Sequence, residues 1–263
     1  MPLHAPHINP VLLHIWGPFS IRWYSVLYVG AFVLGRHILR ALARQERFVF
    51  TAAQVDELIL WLLLGAVIGA RIVFCVVYDP VMLSENPLSL FKVYQGGLSF
   101  HGGLLGVVVA LALFSRRTGV PFFNLSDACA MAGPWGLAMG RIGNFINGEL
   151  FGRVSYVPWA MVFPSGGPLP RHPSQLYECA LEGLLLGSVL WGSFRFLRRP
   201  GQLTFLFLMG YTLARFTVEF FREPDVQVGY LALGLTMGQW LSLVMFFVTA
   251  GSFWYVGRKA LDP

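Results

Sequence analysis

Seven apolar runs, each about 20 residues long, dominate the chain and fix what it can fold into; they span approximately 16–35, 57–78, 98–114, 126–146, 175–196, 202–221 and 237–256. Runs of this length match the hydrocarbon thickness of a bilayer, and a chain crossing hydrocarbon must satisfy its backbone groups internally, so each run is expected to cross as a helix. Charged residues make up only 12% of the 263 residues, against 56% hydrophobic. Soluble domains carry about 25% charged residues, so this chain cannot coat a water-soluble globule. The expected fold is an all-α polytopic membrane protein, a single integral membrane domain over 1–263 with seven transmembrane helices. Cys75, Cys129 and Cys179 are too few and too scattered for a disulfide framework.

Between the runs lie stretches marked by turn residues: Asp79-Pro80, Asn86-Pro87, Pro121, a proline-rich stretch from Pro158 to Pro173, Arg199-Pro200-Gly201 and Glu223-Pro224-Asp225. Alternate loops hold eleven of the 19 basic residues: Arg36, Arg40, Arg44 and Arg47, Arg116 and Arg117, Arg195, Arg198 and Arg199, then Arg258 and Lys259. The opposite side holds five, Arg22, Lys92, Arg153, Arg171 and Arg222. Cations concentrate on the cytoplasmic side of membrane proteins, which predicts an outer N-terminus, a cytoplasmic C-terminus and a small outer-face loop or head over 145–173. The net charge of +6 then reports topology rather than nucleic-acid binding. The first apolar run lacks both a basic leader and a small-residue cleavage site, so it is not expected to be a secretory signal peptide.

Ionisable groups within membrane spans are costly and mark functional sites. Arg71, Arg141 and Arg215 lie within spans, and the predicted topology places all three in the outer halves of their helices. Tyr24 and His101 begin helices from the same side. Tyr211, Arg215, Glu219 and Arg222 stand at i, i+4, i+8 and i+11 and share one helical face. That stripe suits bidentate binding of phosphate by guanidinium; it is equally compatible with an internal ion-pair network that fixes packing. Arg71 follows Gly65 and Gly69, a small-residue pattern for close helix contact, and a packing role is the expectation for it.

The stretch Gly140 to Arg153 gathers four glycines, Asn144, Asn147, Glu149 and two arginines at a membrane exit, where glycine allows backbone to approach an anion. His101 is flanked by Gly96-Gly97 and Gly102-Gly103 and can serve as a base or as a structural residue. His172 is expected to start the fifth helix, with Ser174 as its cap. No HExxH or paired Cys/His spacing occurs, so no metal is expected.

Four motifs, His101-Gly102-Gly103-Leu104, Gly140 to Arg153, Arg171-His172-Pro173-Ser174-Gln175-Leu176-Tyr177-Glu178 and Glu219-Phe220-Phe221-Arg222-Glu223-Pro224-Asp225, together with Trp23-Tyr24, cover nearly the whole chain. In this order they resemble the bacterial prolipoprotein diacylglyceryl transferases. The stretch between Arg153 and Arg171 is shorter than in some members. The resemblance implies an inner-membrane transferase of lipoprotein biosynthesis that moves the diacylglyceryl group of phosphatidylglycerol to the lipobox cysteine of a preprolipoprotein and releases glycerol phosphate. It implies no cofactor and no nucleic-acid partner. It further implies functional roles for Tyr24, His101, Arg141, Asn144, Glu149, Gly152, Tyr211, Arg215, Glu219 and Arg222, with His101, Arg141 and Arg215 catalytic and all but His101 among these binding substrate or shaping its site. A transporter of anions or lipids and an intramembrane serine protease are the rival classes. The absence of repeated halves and of a GxSxG serine speaks against them.

Overall fold

The structure is a computed structural model that describes residues 3–6, 8–16, 19–93, 96–223 and 229–258. Pro224 and Asp225 of the last motif and Lys259 of the cation set expected on the cytoplasmic side lie outside the described residues. The chain is mostly helical: α1 (Trp23–Leu42), α2 (Ala52–Val73), α3 (Pro80–Glu85), α4 (Phe100–Thr118), α5 (Phe122–Asn147), α6 (Ser174–Glu178), α7 (Leu186–Ser193), α8 (Gln202–Glu219) and α9 (Met237–Arg258). Among the described residues, four short strands accompany them, β1 (Leu3–His4), β2 (Val11–Trp16), β3 (Phe19–Arg22) and β4 (Met161–Val162).

Among the described residues, four helices are long and apolar enough to cross a membrane: Trp23–Leu42, Ala52–Tyr78, Phe100–Thr118 and Met237–Arg258. The three other expected crossings correspond to α5, to the α6–α7 stretch and to α8. These carry Arg141, Glu178, Glu182, Arg215 and Glu219, and those charges dilute their apolar character.

The first helix begins later than the apolar run at 16–35 suggests. β2 and β3 form an antiparallel pair with Leu13 opposite Ile21 and His14 opposite Ser20, and the helix starts at Trp23. Phe19-Ser20-Ile21-Arg22 alternates apolar and polar residues with the period of a strand, which overrides its hydropathy. Residues 145–147 of the expected loop are still helical, since α5 runs to Asn147.

The packing falls into two compact units, Leu39–Ser126 and Met1–Ile38 with Asp127–Pro263. In the unit 39–126, α2 packs on α4 along glycine. A Cβ added to Gly106 would lie 1.9 Å from the Gly65 carbonyl oxygen, and one on Gly69 would lie 2.3 Å from that of Gly102. The spacing Gly65-x3-Gly69 against Gly102-x3-Gly106 is thus the small-residue contact expected around Arg71. Arg71 itself is only 3% exposed. It donates to the carbonyls of Ser89, Leu90, Gly96 and Gly97, pinning the segment that links α2 to α4.

In the other unit, α8 opens on Gly201, whose left-handed φ of 91° suits glycine. The buried carboxylate of Asp127 accepts from the Gly201 and Thr204 amides, both at 2.8 Å, and from the Thr204 hydroxyl at 2.6 Å. It thereby satisfies first-turn donors that lack helical partners. The segment 148–173 is a head with no α-helix, its only helical turn being the short 3-10 turn Pro164–Gly166. Its bridges pair Gly152 with Arg222 and Val154 and Met161 with Arg171, and β4 pairs with β1.

Candidate active site

The stretch from Ser174 to Ser193 is not one regular helix. Between α6 and α7, Cys179–Leu185 is wound as a π-helix, a local widening that often accompanies functional sites. Gly183 and Gly187 let this stretch approach α5 closely. A Cβ on Gly183 would lie 2.5 Å from the Ala138 Cβ, and one on Gly187 would lie 3.2 Å from the Trp135 ring. The contact carries Glu178 and Glu182, both with side chains fully removed from solvent, to Arg141 on α5.

Six charged side chains form one network. Arg141 lies with Nε 3.3 Å from Glu178 Oε2 and Nη2 3.2 Å from Glu182 Oε2. Arg215 donates from Nη1 to Glu178 Oε1 at 2.6 Å and pairs through Nη2 with Glu219 Oε2 at 2.7 Å. Arg222 reaches Glu178 Oε1 at 3.0 Å and stands 3.6 Å from Glu219 Oε2. Glu219 also accepts from the Thr236 hydroxyl at 3.0 Å, and Thr236 caps α9 through the Gln239 amide. Three guanidiniums face three carboxylates, so the formal charges cancel. Glu182 Oε1 is buried with no hydrogen-bond partner among the described residues.

The stripe on α8 thus does contain the ion pairs the sequence allowed for, with one correction and one addition. Arg222 lies beyond the helix end at Glu219, and joins the network from a bridge with Gly152 rather than from a helical face. Glu178 and Glu182 were not singled out as site residues, although two carboxylates four residues apart in an apolar run carry the same signal as the arginines. Tyr211 lies one turn before Arg215, its ring tilted against Phe207.

At the end of α5 the polar residues satisfy one another. Glu149 Oε1 accepts from Asn144 Nδ2 at 2.8 Å and Asn147 Nδ2 at 3.2 Å. The chain then turns through Gly148 and Leu150, with φ of 66° and 58°; a leucine in this region is strained. The turn is held by Gln175 Nε2 donating to the Glu149 carbonyl at 2.6 Å and Ser174 Oγ donating to that of Leu150 at 2.9 Å. Ser174 is therefore not the helix cap expected of it; Pro173 occupies that position and no side chain caps α6. Gly152 is buried in backbone, where a Cβ would lie 2.2 Å from the Phe221 carbonyl oxygen. Tyr24 packs on Gly143, whose added Cβ would lie 2.8 Å from its ring.

In the head, Arg153 donates to the carbonyls of Arg222 at 2.6 Å and Glu219 at 3.3 Å. Arg171 donates to those of Gly166 and Gly152 and pairs with Glu223. His172 lies in extended chain ahead of α6, its Nδ1 3.0 Å from the Tyr177 hydroxyl, which also accepts from Trp159 Nε1 at 2.6 Å. Partial burial and the nearby Arg153 charge push the His172 pKa below its ordinary value, so the neutral ring prevails near pH 7.

His101 belongs to the unit 39–126, whereas the charge network is drawn wholly from the other. It sits in the first turn of α4, which Ser99 caps by accepting from the Gly102 amide at 3.3 Å. Its imidazole is exposed, with an edge-on contact to Phe100 and no hydrogen bond among the described residues. No group of three or more metal-ligating side chains occurs among the described residues.

A family model described as prolipoprotein diacylglyceryl transferase matches residues 10–255. The chain is 50% identical to the phosphatidylglycerol–prolipoprotein diacylglyceryl transferase of Rhodospirillum rubrum, an alignment covering 99% of this chain and 96% of that protein. It is 49% identical to the protein of the same name from Idiomarina loihiensis, over 92% and 91% of the two chains, and 48% identical to that of Coxiella burnetii, over 97% and 98%. With a match that runs through every element of the charge network and both units, this chain belongs to the prolipoprotein diacylglyceryl transferase family.

Proposed function

We propose that the chain transfers the diacylglyceryl group of phosphatidylglycerol to the thiol of the lipobox cysteine of a preprolipoprotein, the first step of lipoprotein maturation. The observation that carries this reading is the half-buried cluster of Arg141, Arg215 and Arg222 around the buried Glu178, set in a membrane protein whose relatives are named for that reaction. In the reaction the thiol loses its proton, sulfur forms a bond to the terminal glycerol carbon, and the carbon–oxygen bond to phosphate breaks with its electron pair leaving on glycerol phosphate. Arg141 and Arg215 bind the phosphate and hold it more strongly as charge develops on it, the condition for acceleration. His101 accepts the thiol proton. A thiol is a weaker acid in water than an imidazolium, so this transfer is uphill, and guanidiniums at the site reduce that by favouring thiolate.

Glu219 orients Arg215 and Arg222. Asn144 and Tyr24 hydrogen-bond glycerol or phosphate oxygens, Glu149 fixes Asn144, Tyr211 lines the phosphate side, and Gly152 holds the head against Arg222. Seven helices cross the bacterial inner membrane with the N-terminus outside, the C-terminus cytoplasmic and the charge network toward the outer leaflet; the eleven-to-five division of cations supports this orientation.

The test of the reaction is incubation of the purified protein in detergent with phosphatidylglycerol and a lipobox peptide. A mass gain of one diacylglyceryl group on cysteine is expected, and an unmodified peptide beside transport of lipid in liposomes would overturn the assignment. For the orientation, a tag at the C-terminus or in the loop next to Arg116 and Arg117 is expected to resist external protease in intact cells; cleavage there would invert it.

A further inference from the structure

Glu178 is the one carboxylate in the network that touches all three guanidiniums, and they come from three different pieces of chain. Its Oε1 receives Arg215 Nη1 at 2.6 Å and Arg222 Nη1 at 3.0 Å, while its Oε2 stands 3.3 Å from Arg141 Nε. The side chain is fully buried, and its position is fixed by an unusual backbone, since the π-helix begins at the next residue. From this geometry we infer that Glu178 is the positioning residue of the phosphate site, resting on the transferase reading above: it holds Arg141 and Arg215 in one arrangement before the lipid arrives.

Each arginine has several rotatable bonds, and fixing such a side chain costs up to about 2 kcal/mol in lost rotamers. Three guanidiniums gathered around one point also repel one another. A shared, desolvated carboxylate removes both obstacles before substrate binds. It does so without consuming the donors a phosphate needs. Among the described residues, Arg141 makes its contacts through Nε and Nη2 and so keeps both Nη1 hydrogens, while Arg215 makes its contacts through Nη1 and Nη2 and keeps its Nε hydrogen. Glu182 and Glu219 each touch only part of the set, Arg141 in the first case and Arg215 with Arg222 in the second. Among the described residues, only Glu178 couples the arginine of α5 to those of α8 and the chain beyond it.

The prediction separates positioning from scaffolding through steady-state kinetics with phosphatidylglycerol varied in mixed micelles. Glu178→Gln keeps the shape but removes the charge that gathers the guanidiniums. Per folded molecule, kcat is expected to fall at least about tenfold, because small misplacements of catalytic groups are costly, while KM for phosphatidylglycerol stays level or falls, since the site gains net positive charge. Glu178→Asp keeps the charge but withdraws it by one methylene, and the same loss in kcat is expected. A variant with kcat within about threefold of the parent, or a rise in KM alone, would show that Glu178 does not position the arginines for the transition state. Failure of both variants to yield folded protein would make its role structural and overturn the inference as well. If the parent itself transfers nothing, the transferase reading fails and takes this inference with it; a full-rate Glu178→Gln beside an active parent removes the positioning role alone.

Discussion

Replacing Arg141 by alanine should damage this protein in two separable ways. The side chain is 17% exposed and is the sole cation within ion-pair distance of Glu182 among the described residues, at 3.2 Å. Removing it leaves the buried Glu182 carboxylate uncompensated, and breaking a buried pair from one side costs about 3–5 kcal/mol of stability. On the proposed mechanism it also removes two charge-assisted contacts to the phosphate, together about 3–5 kcal/mol of transition-state stabilisation, or about 10² to 10⁴ in rate. The double variant Arg141→Ala/Glu182→Gln removes the orphaned charge along with its partner. Thermal unfolding of the purified proteins should therefore show a marked loss for the single variant and substantial recovery for the double. Peptide lipidation, followed by mass spectrometry per folded molecule, should stay 10² to 10⁴ below the parent in both. If activity returned with stability in the double variant, Arg141 would be a structural partner of Glu182 and the phosphate would need another ligand.

His101→Gln preserves volume but not basicity, so turnover at pH 7 should fall at least about 10²-fold with little change in melting temperature. Because thiolate forms unaided as the medium approaches the thiol pKa, the deficit should shrink toward about pH 9; a constant deficit across that range would remove His101 as the base. Arg71→Lys cannot reproduce a fork aimed at four carbonyls. It should cost about 1–3 kcal/mol of stability while leaving the rate per folded molecule nearly unchanged, and a large rate loss in stable protein would place Arg71 in the chemistry instead. Gly106→Ala puts a methyl 1.9 Å from the Gly65 carbonyl oxygen. It should force α2 and α4 apart and lower the melting temperature, and an unchanged melting curve would refute the tight contact.

Much of the site is legible because charge in hydrocarbon is expensive. Arg141, Arg215 and Glu219 stand out against their apolar surroundings, and the glycines of Gly65-x3-Gly69 mark a close helix contact that the structure contains. Glu178 and Glu182 carried the same signal and are overlooked only when a span is read for its cations. Other features have no local mark. The π-helix at Cys179–Leu185 interrupts a helical pattern without any residue that announces it. Ser174 has the composition of a cap, yet its hydroxyl is taken by the Leu150 carbonyl 24 positions away, a partner that only tertiary structure supplies. At the N-terminus hydropathy masks a competing strand pattern, so the first helix is displaced toward the C-terminus.

The carboxylate of Asp127 at one end of α5 and the guanidinium of Arg141 near the other are fourteen residues apart, and so are Gly201 and Arg215 on α8. Asp127 grips the start of α8, and Glu178 links the two arginines. The two helices therefore behave as equal-length rulers clamped at both ends, each measuring about 21 Å between clamps. A single-residue insertion in either segment would turn everything beyond it by about 100° and advance it by about 1.5 Å, swinging one guanidinium away from the shared carboxylate. These two segments should accept substitutions far more readily than any change in length, and a compensating insertion in one alone cannot restore the match; both would have to grow together.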